Sequence, residues 1–242
     1  MVITVTNNEQ FFNLYNTLDD LLREHYNIFD FGVSVIFKRI NELKASLIES
    51  DREKGELLDI IRNLRNSLVH LEKHNNKDNF SISPHLIKLL QDEIETIKNP
   101  LTAKDICKNI DLALTATLDN KVKDIADIML TKGFTHVPIL VNGVLYGVFS
   151  QNTIFTCFAK QEGIHINANT TIKEYIDFLP IDKHETERFM FVSKDTKVDD
   201  LAPLFSQKID GKRLVMIFVS DTGKANEKVI GIITSYDLLQ RK

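Results

Sequence analysis

The chain has 242 residues, 43% hydrophobic and 26% charged, which is ordinary globular composition and enough length for two compact domains. With 30 Lys and Arg against 34 Asp and Glu, the formal net charge of −4 neither proposes nor excludes a nucleic-acid partner. Cys107 and Cys157 lack CxxC or Cys/His metal spacing, the N-terminus has no signal-peptide pattern, and no apolar run nears the roughly 18 residues of a membrane span. The expectation is a soluble cytoplasmic protein with reduced thiols, no metal site and no membrane. After an extended opening, VITV (Val2 to Val5), apolar residues recur at helical spacing as far as Lys98. The periodicity predicts four helices, the first near Glu9 to Tyr26, the second near Phe31 to Leu47 and the third near Arg52 to Lys73. A turn, HNNKDN (His74 to Asn79), precedes the fourth, which starts on Ser83 as N-cap with Pro84 at the first helical position and stops before Pro100. Lys98-Asn99-Pro100 reads as a domain boundary, giving a helical domain over residues 1–98.

The third helix sorts into faces at roughly 100° per residue. Leu57, Ile61, Leu64, Leu68 and Leu71 form its core stripe, with Asn63, Asn66 and His70 opposite and Arg62 and Arg65 towards one flank. Asn66 and His70, four apart, are neighbours; Arg65 and His70, five apart, diverge by about 140° of helix rotation.

Beyond Pro100 short β-branched runs alternate with helices, and the segment repeats itself. KVKDIADIML matches KVDDLAPLFS, placing Lys121 on Lys197 at an offset of 76. The strand VPILV matches VMIFV, placing Val137 on Val215 at an offset of 78, and VLYGVFS matches VIGIITS with Gly147 on Gly231 at an offset of 84. The offset grows because the first hairpin turns on Asn142-Gly143, the preferred type I′ pair, and the second through the longer loop SDTGKANEK. Each copy therefore reads strand, helix, strand, strand, helix.

That order, together with GIITSYDLL (Gly231 to Leu239), resembles the CBS domain, whose signature is Gly, two hydrophobics, Ser or Thr, two variable residues and Asp. The resemblance covers residues 101–242 as a tandem pair, a Bateman module, with repeats over 101–165 and 166–242. It implies adenosine-type ligands in clefts between the repeats, where an aspartate accepts two ribose hydroxyls and the preceding hydroxyl anchors phosphate or ribose. Carried onto this chain, one cleft takes Thr234 and Asp237 from the second repeat with Asn120, Phe134, Thr135 and His136 from the first. The other takes Ser150 and Thr153 with Thr196, Lys212, Arg213 and Leu214. Thr153 stands where the family has aspartate and cannot hold two ribose hydroxyls, while Lys212 and Arg213 offer charge for phosphates. Thr234 and Asp237 are also the residue types that cap a helix N-terminus.

In the third helix RNSLVH resembles the R-x4-H motif of HEPN domains, four-helix units that commonly dimerise and in many members cleave RNA without metal. The resemblance implies His70 as general base, Arg65 on the phosphate and Asn66 as an orienting group. A two-fold axis would bring together the Arg and His that one helix holds apart. Glu72 stands where toxin-type members carry Tyr.

The fold expected is α+β: a four-helix HEPN-like bundle followed by a pair of α/β CBS domains. Three functional readings stay open. The first is a homodimeric regulator whose CBS pair binds an adenine nucleotide (AMP, ADP, ATP or a relative) and requires no cofactor. The second is a nucleotide-gated endoribonuclease acting on RNA through Arg65, Asn66 and His70. The third is a non-enzymatic dimerisation and protein-interaction module. No Walker motif, GxGxxG, zinc-type histidine pair or GxSxG elbow supports another enzyme class.

Overall fold

The computed structural model describes residues 6–46, 48–73, 81–160 and 166–239. The chain divides into two compact units, Met1–Pro100 with Arg241–Lys242, and Leu101–Gln240. The opening VITV and the HNNKDN turn lie outside the described residues, as do Leu47 and the side chain of Leu71.

The N-terminal unit holds helices α1 (Asn7–Tyr26), α2 (Val35–Lys44), α3 (Glu49–Lys73) and α4 (Pro84–Lys98). Local chemistry sets their ends. Thr6 and Glu9 close a capping box on α1, and Ser83 accepts from the Leu86 N–H ahead of Pro84 on α4. The second helix begins at Val35 rather than Phe31, because Ser34 caps it by accepting from the Phe37 N–H. Phe29 and Phe31 are left exposed in the preceding connection. Helix α1 packs on α4 and α2 on α3, around a core that includes Phe11, Leu18, Leu22, Ile36, Ile40, Ile61, Leu68 and Leu90. Inside that bundle Glu93 is fully buried and takes Arg39 Nε of α2 at 2.9 Å and Lys54 Nζ of α3 at 2.6 Å, tying three helices together.

The second unit starts with α5 (Ala103–Ile106) and the short β1 (Lys108–Asn109), then α6 (Val122–Lys132), β2 (His136–Val141), β3 (Val144–Ser150) and α7 (Gln151–Lys160). A 3-10 segment (Ile172–Phe178) leads to β4 (Glu187–Ser193), α8 (Val198–Ser206), β5 (Lys208–Ile209), β6 (Lys212–Ser220), β7 (Gly231–Ile233) and α9 (Ser235–Leu239). The second copy is a β4–α8–β6 parallel crossover extended by antiparallel β7. In the first copy β2 and β3 form the hairpin, and the leading strand shrinks to a parallel bridge between Ala116 and Ile139. Asn142 and Gly143 turn that hairpin at positive φ, and Asp210-Gly211 makes a second such turn between β5 and β6.

The copies interlock. Segment 101–112 completes the second copy: Ala103 lies in its core, β1 pairs with β7, and Thr102 bridges Lys197. Conversely Ile172, Tyr175 and Leu179 fill the core of the first copy, beneath α6, β2 and β3. The two signature glycines mark these crossings. A Cβ on Gly147 would stand 2.3 Å from the Leu179 carbonyl oxygen, and one on Gly231 would stand 2.7 Å from that of Lys108. Val148, Phe189, Met216, Phe218 and Ile232 join the copies in a shared apolar layer.

Candidate functional site

The two signature segments, alike in sequence, sit in different surroundings. At the second, β7 ends and Thr234 precedes α9. Asp237 turns back, and its Oδ2 accepts both the Thr234 N–H at 2.7 Å and the Thr234 hydroxyl at 2.6 Å. This capping contact fixes the carboxylate at the helix mouth and leaves both residues half-exposed. Behind them runs β1. Burial pushes the Cys107 thiol up, with the Asp105 and Asp237 carboxylates adding to the effect. From the next residue, Lys108, the ammonium crosses to the first copy and stands 5.3 Å from the centre of the half-buried Phe134 ring. Asn120 folds into its own loop instead: its Oδ1 accepts from the Thr117 N–H at 2.7 Å and the Thr117 hydroxyl at 3.1 Å.

At the first signature segment the arrangement is closed. Ser150 and Thr153 cap α7 reciprocally, each backbone N–H donating to the other's hydroxyl oxygen, and they are only 1% and 2% exposed. The carboxylate that position 153 lacks arrives from the other copy. Glu187, first residue of β4 and 5% exposed, accepts from His136 Nε2 at 3.0 Å and Asn152 Nδ2 at 2.5 Å on Oε1. On Oε2 it accepts from the Ser150 hydroxyl at 3.1 Å and His184 Nδ1 at 3.1 Å. Burial works to raise the Glu187 pKa, but hydrogen bonds from His136 and His184, the charge of His136 and the Asn152 amide outweigh it and hold the group well below the usual carboxylate range. With Glu187 ionised, His136 directs an Nε2 proton at the carboxylate, and its Nδ1 lies 2.7 Å from the Thr135 hydroxyl oxygen.

Four donors use the roughly four lone-pair positions a carboxylate offers, so Glu187 retains no acceptor for a ribose. His136 and Thr135, assigned from the sequence to the Asp237 cleft, are grouped by the structure with Ser150. Arg213 stands opposite Glu187 in the β4–β6 ladder, and Lys212 begins the same strand. Thr196 does not join them. It follows the far end of β4, roughly 20 Å of strand away, where its carbonyl accepts from the Ala103 N–H at 2.7 Å. Among the described residues no group of three or more His, Cys, Asp or Glu side chains is placed to hold a metal ion.

Glu187, His184 and Lys108 escaped the sequence reading. Glu187 had one usable signal, the missing aspartate at 153, which asks for a carboxylate from elsewhere.

In the N-terminal unit, Asn66 and His70 are both exposed on α3. Arg65 is half-buried; its guanidinium lies 5.5 Å from the centre of the Tyr15 ring of α1, and its Nη1 donates to Asn66 Oδ1 at 3.3 Å. Burial raises the Tyr15 phenol above its ordinary value, and Arg65 opposes that shift. Within one chain Arg65 is therefore drawn towards α1, and His70 faces solvent. No helix among the described residues is long and apolar enough to cross a membrane.

A family model described as the CBS domain matches residues 101–160 and again 183–242. Among solved structures, the CBS domain pair of protein MJ0100 in complex with 5′-methylthioadenosine and S-adenosyl-L-methionine is similar at 23% identity and TM-score 0.39, covering 58% of this chain and 94% of that one. CBSX2 in complex with AMP is similar at 20% identity and TM-score 0.41, covering 57% and 93%. The CBS-domain containing protein ATU1752 from Agrobacterium tumefaciens is similar at 16% identity and TM-score 0.38, covering 57% and 97%. Comparison with curated protein sequences gives no match.

Proposed function

Residues 101–242 are a tandem pair of CBS domains, and on that premise we propose that the pair senses an adenine-type nucleotide in the cleft of Thr234 and Asp237 and thereby regulates the N-terminal helical unit. The observation that carries this reading is the asymmetry of the clefts. Asp237 is half-exposed and spends one oxygen on its cap, whereas the twin cleft is filled by a saturated Glu187. One nucleotide per chain is expected, and Ser150 and Thr153 serve the fold. The short Lys98-Asn99-Pro100 connection suits a transmitting role better than a flexible linker would.

The test is a melting-temperature panel of AMP, ADP, ATP, S-adenosylmethionine and cyclic dinucleotides on the full chain. A ligand at about 100 times its Kd adds about 2.7 kcal/mol of stability. A clear upward shift, lost in Asp237→Ala, supports the sensor. No shift with any of them overturns it.

A second reading concerns the unit being regulated, residues 1–98, as a HEPN-like domain. Asn66 and His70, exposed on one face of α3, favour it, with Arg65 of a second copy completing the motif across a two-fold axis. Large apolar residues left exposed, Phe29 and Phe31 here and Phe155 and Phe158 on α7, fit a homodimer. Metal-independent RNA cleavage abolished by His70→Ala is the expected result, and cleavage that survives the substitution removes the assignment. Cys107 and Cys157, without CxxC or metal-ligand spacing, fit a reducing cytoplasm.

A further inference from the structure

We infer that the exposed face of α2 is where a second copy of this chain docks, antiparallel across a two-fold axis, with Lys38 of each copy paired with Glu42 of the other. The inference rests on reading the chain as a homodimer and adds the face and the pairing.

Helix α2 turns Val35, Ile36, Ile40 and Leu43 into the bundle. Its other side carries two rows at helical spacing, Val33, Phe37, Asn41 and Ala45 in one and Lys38 and Glu42 in the other, all exposed. They line a groove of about 510 Å³. Just ahead of it the chain leaves Phe29 and Phe31 66% and 87% exposed, and Phe37 within the groove is 46% exposed. Apolar residues exposed singly need no explanation, but a cluster of them on one face marks a docking surface.

These rings are held in place by their own chain. The buried Arg23 donates to Asp19 Oδ2 at 2.7 Å and to the Asp30 carbonyl at 3.0 Å, and its guanidinium lies 4.9 Å from the centre of the Phe31 ring. Asp30 in turn accepts the Gly32 N–H at 2.8 Å. On the other flank Arg62 of α3, paired with Asp59 at 3.2 Å, stands 5.2 Å from the centre of the Phe37 ring. Side chains fixed before association lose less freedom on docking, which favours it.

Charge selects the occupant. Lys38 rests its ammonium 4.1 Å from the centre of the Tyr26 ring and has no carboxylate partner among the described residues. Glu42, one turn on, directs Oε2 to the Tyr26 hydroxyl instead and keeps Oε1 for another donor. A cation and an anion one turn apart thus stand on the same exposed row, each with capacity left. In a two-fold interface the contact of residue i with j is repeated as j with i. An antiparallel copy crossing midway between residues 38 and 42 therefore meets both charges with their opposites, twice. The same crossing sets the Phe37 row of one copy into the groove of the other, where Ala45 is small enough to let the helices close.

Asn41 lies beside the proposed axis, within the roughly 7 Å between Cα atoms that a disulfide spans. The test is sedimentation equilibrium of the full chain, together with oxidative cross-linking of Asn41→Cys by copper phenanthroline. Wild type should sediment as a dimer, and Asn41→Cys should give an inter-chain disulfide in excess of any that wild type forms through Cys107 or Cys157. In that background Lys38→Glu or Glu42→Lys alone should lower the cross-linked yield at least about tenfold, because each sets like charges opposite each other at two places. Combining the two reverses the pair and should restore the yield. All four positions are exposed or solvent-facing, and helical circular dichroism verifies folding. A dimer that gives no excess disulfide at Asn41→Cys, or a yield that either charge reversal leaves unchanged or the combination fails to restore, overturns this face and leaves the homodimer standing. A wild type that sediments as a monomer overturns the homodimer and the face with it.

Discussion

Replacing Glu187 by glutamine changes one oxygen of a buried carboxylate into an amide nitrogen and little else in shape. Two of the four donors around it, the His136–Asn152 pair or the Ser150–His184 pair, then face N–H groups instead of an acceptor. Hydrogen bonds to an ionised acceptor contribute about 1.5–3 kcal/mol each. The Ser150 hydroxyl can rotate to accept from the amide, recovering part of the loss. The expected cost at neutral pH is about 3–5 kcal/mol, the range for breaking a buried charge cluster by removing one partner. For a unit of this size that corresponds to a fall of about 10 °C in melting temperature, measured by scanning calorimetry on wild type and Glu187→Gln. The pH dependence has a fixed sign. The Glu187 pKa is lowered from an ordinary value of 4.5, so its stabilisation is fully present above that value and is lost as the pH falls below it. The gap between wild type and variant should therefore narrow on acidification. A variant within about 2 °C of wild type at pH 7, or a gap that widens in acid, would refute the account of a carboxylate held by four donors.

Gly147→Ala sets a Cβ against the Leu179 carbonyl, backbone that cannot rotate away, and should cost about 2–3 kcal/mol by urea unfolding. Glu93→Ala leaves Arg39 and Lys54 without their shared buried carboxylate and should destabilise the N-terminal unit by about 3–5 kcal/mol, read from its helical circular dichroism in urea. Ser83→Ala removes the α4 cap and should cost about 1 kcal/mol in the same assay, with no effect on nucleotide binding.

What could be read from the sequence is what local chemistry and periodicity encode. Four helices in the first hundred residues, the Ser83-Pro84 start and the Asn142-Gly143 turn each depend on a few adjacent residues. The repeat was legible because its two copies carry the same period and signature glycine. The short hairpin on Asp210-Gly211 obeys the same turn rule, but its first strand is two residues long, too short to show alternation. The closed cleft was not legible, because it joins His136, Ser150 and Asn152 to a glutamate 51, 37 and 35 residues away. Glu187 follows a 3-10 connection without periodicity, so nothing nearby singles it out. Lys108 was hidden similarly: its ring partner lies in the other copy, and β1 is recognisable as a strand only once β7 is beside it.

The crossing of the two copies also orders events in time. Lys108 finds its strand partner, Ile232, 124 residues later, and Ala103 enters a core whose last member is Leu238. A chain emerging from the ribosome therefore carries β1 unpaired until almost the whole second unit has been made. Contacts of such sequence separation place the CBS pair among slower-folding topologies, while the helical unit, complete by Pro100, can fold first. Translation that stopped anywhere before β7 would release a second unit with an open sheet edge at β6, and β7 acts as the clasp that closes it.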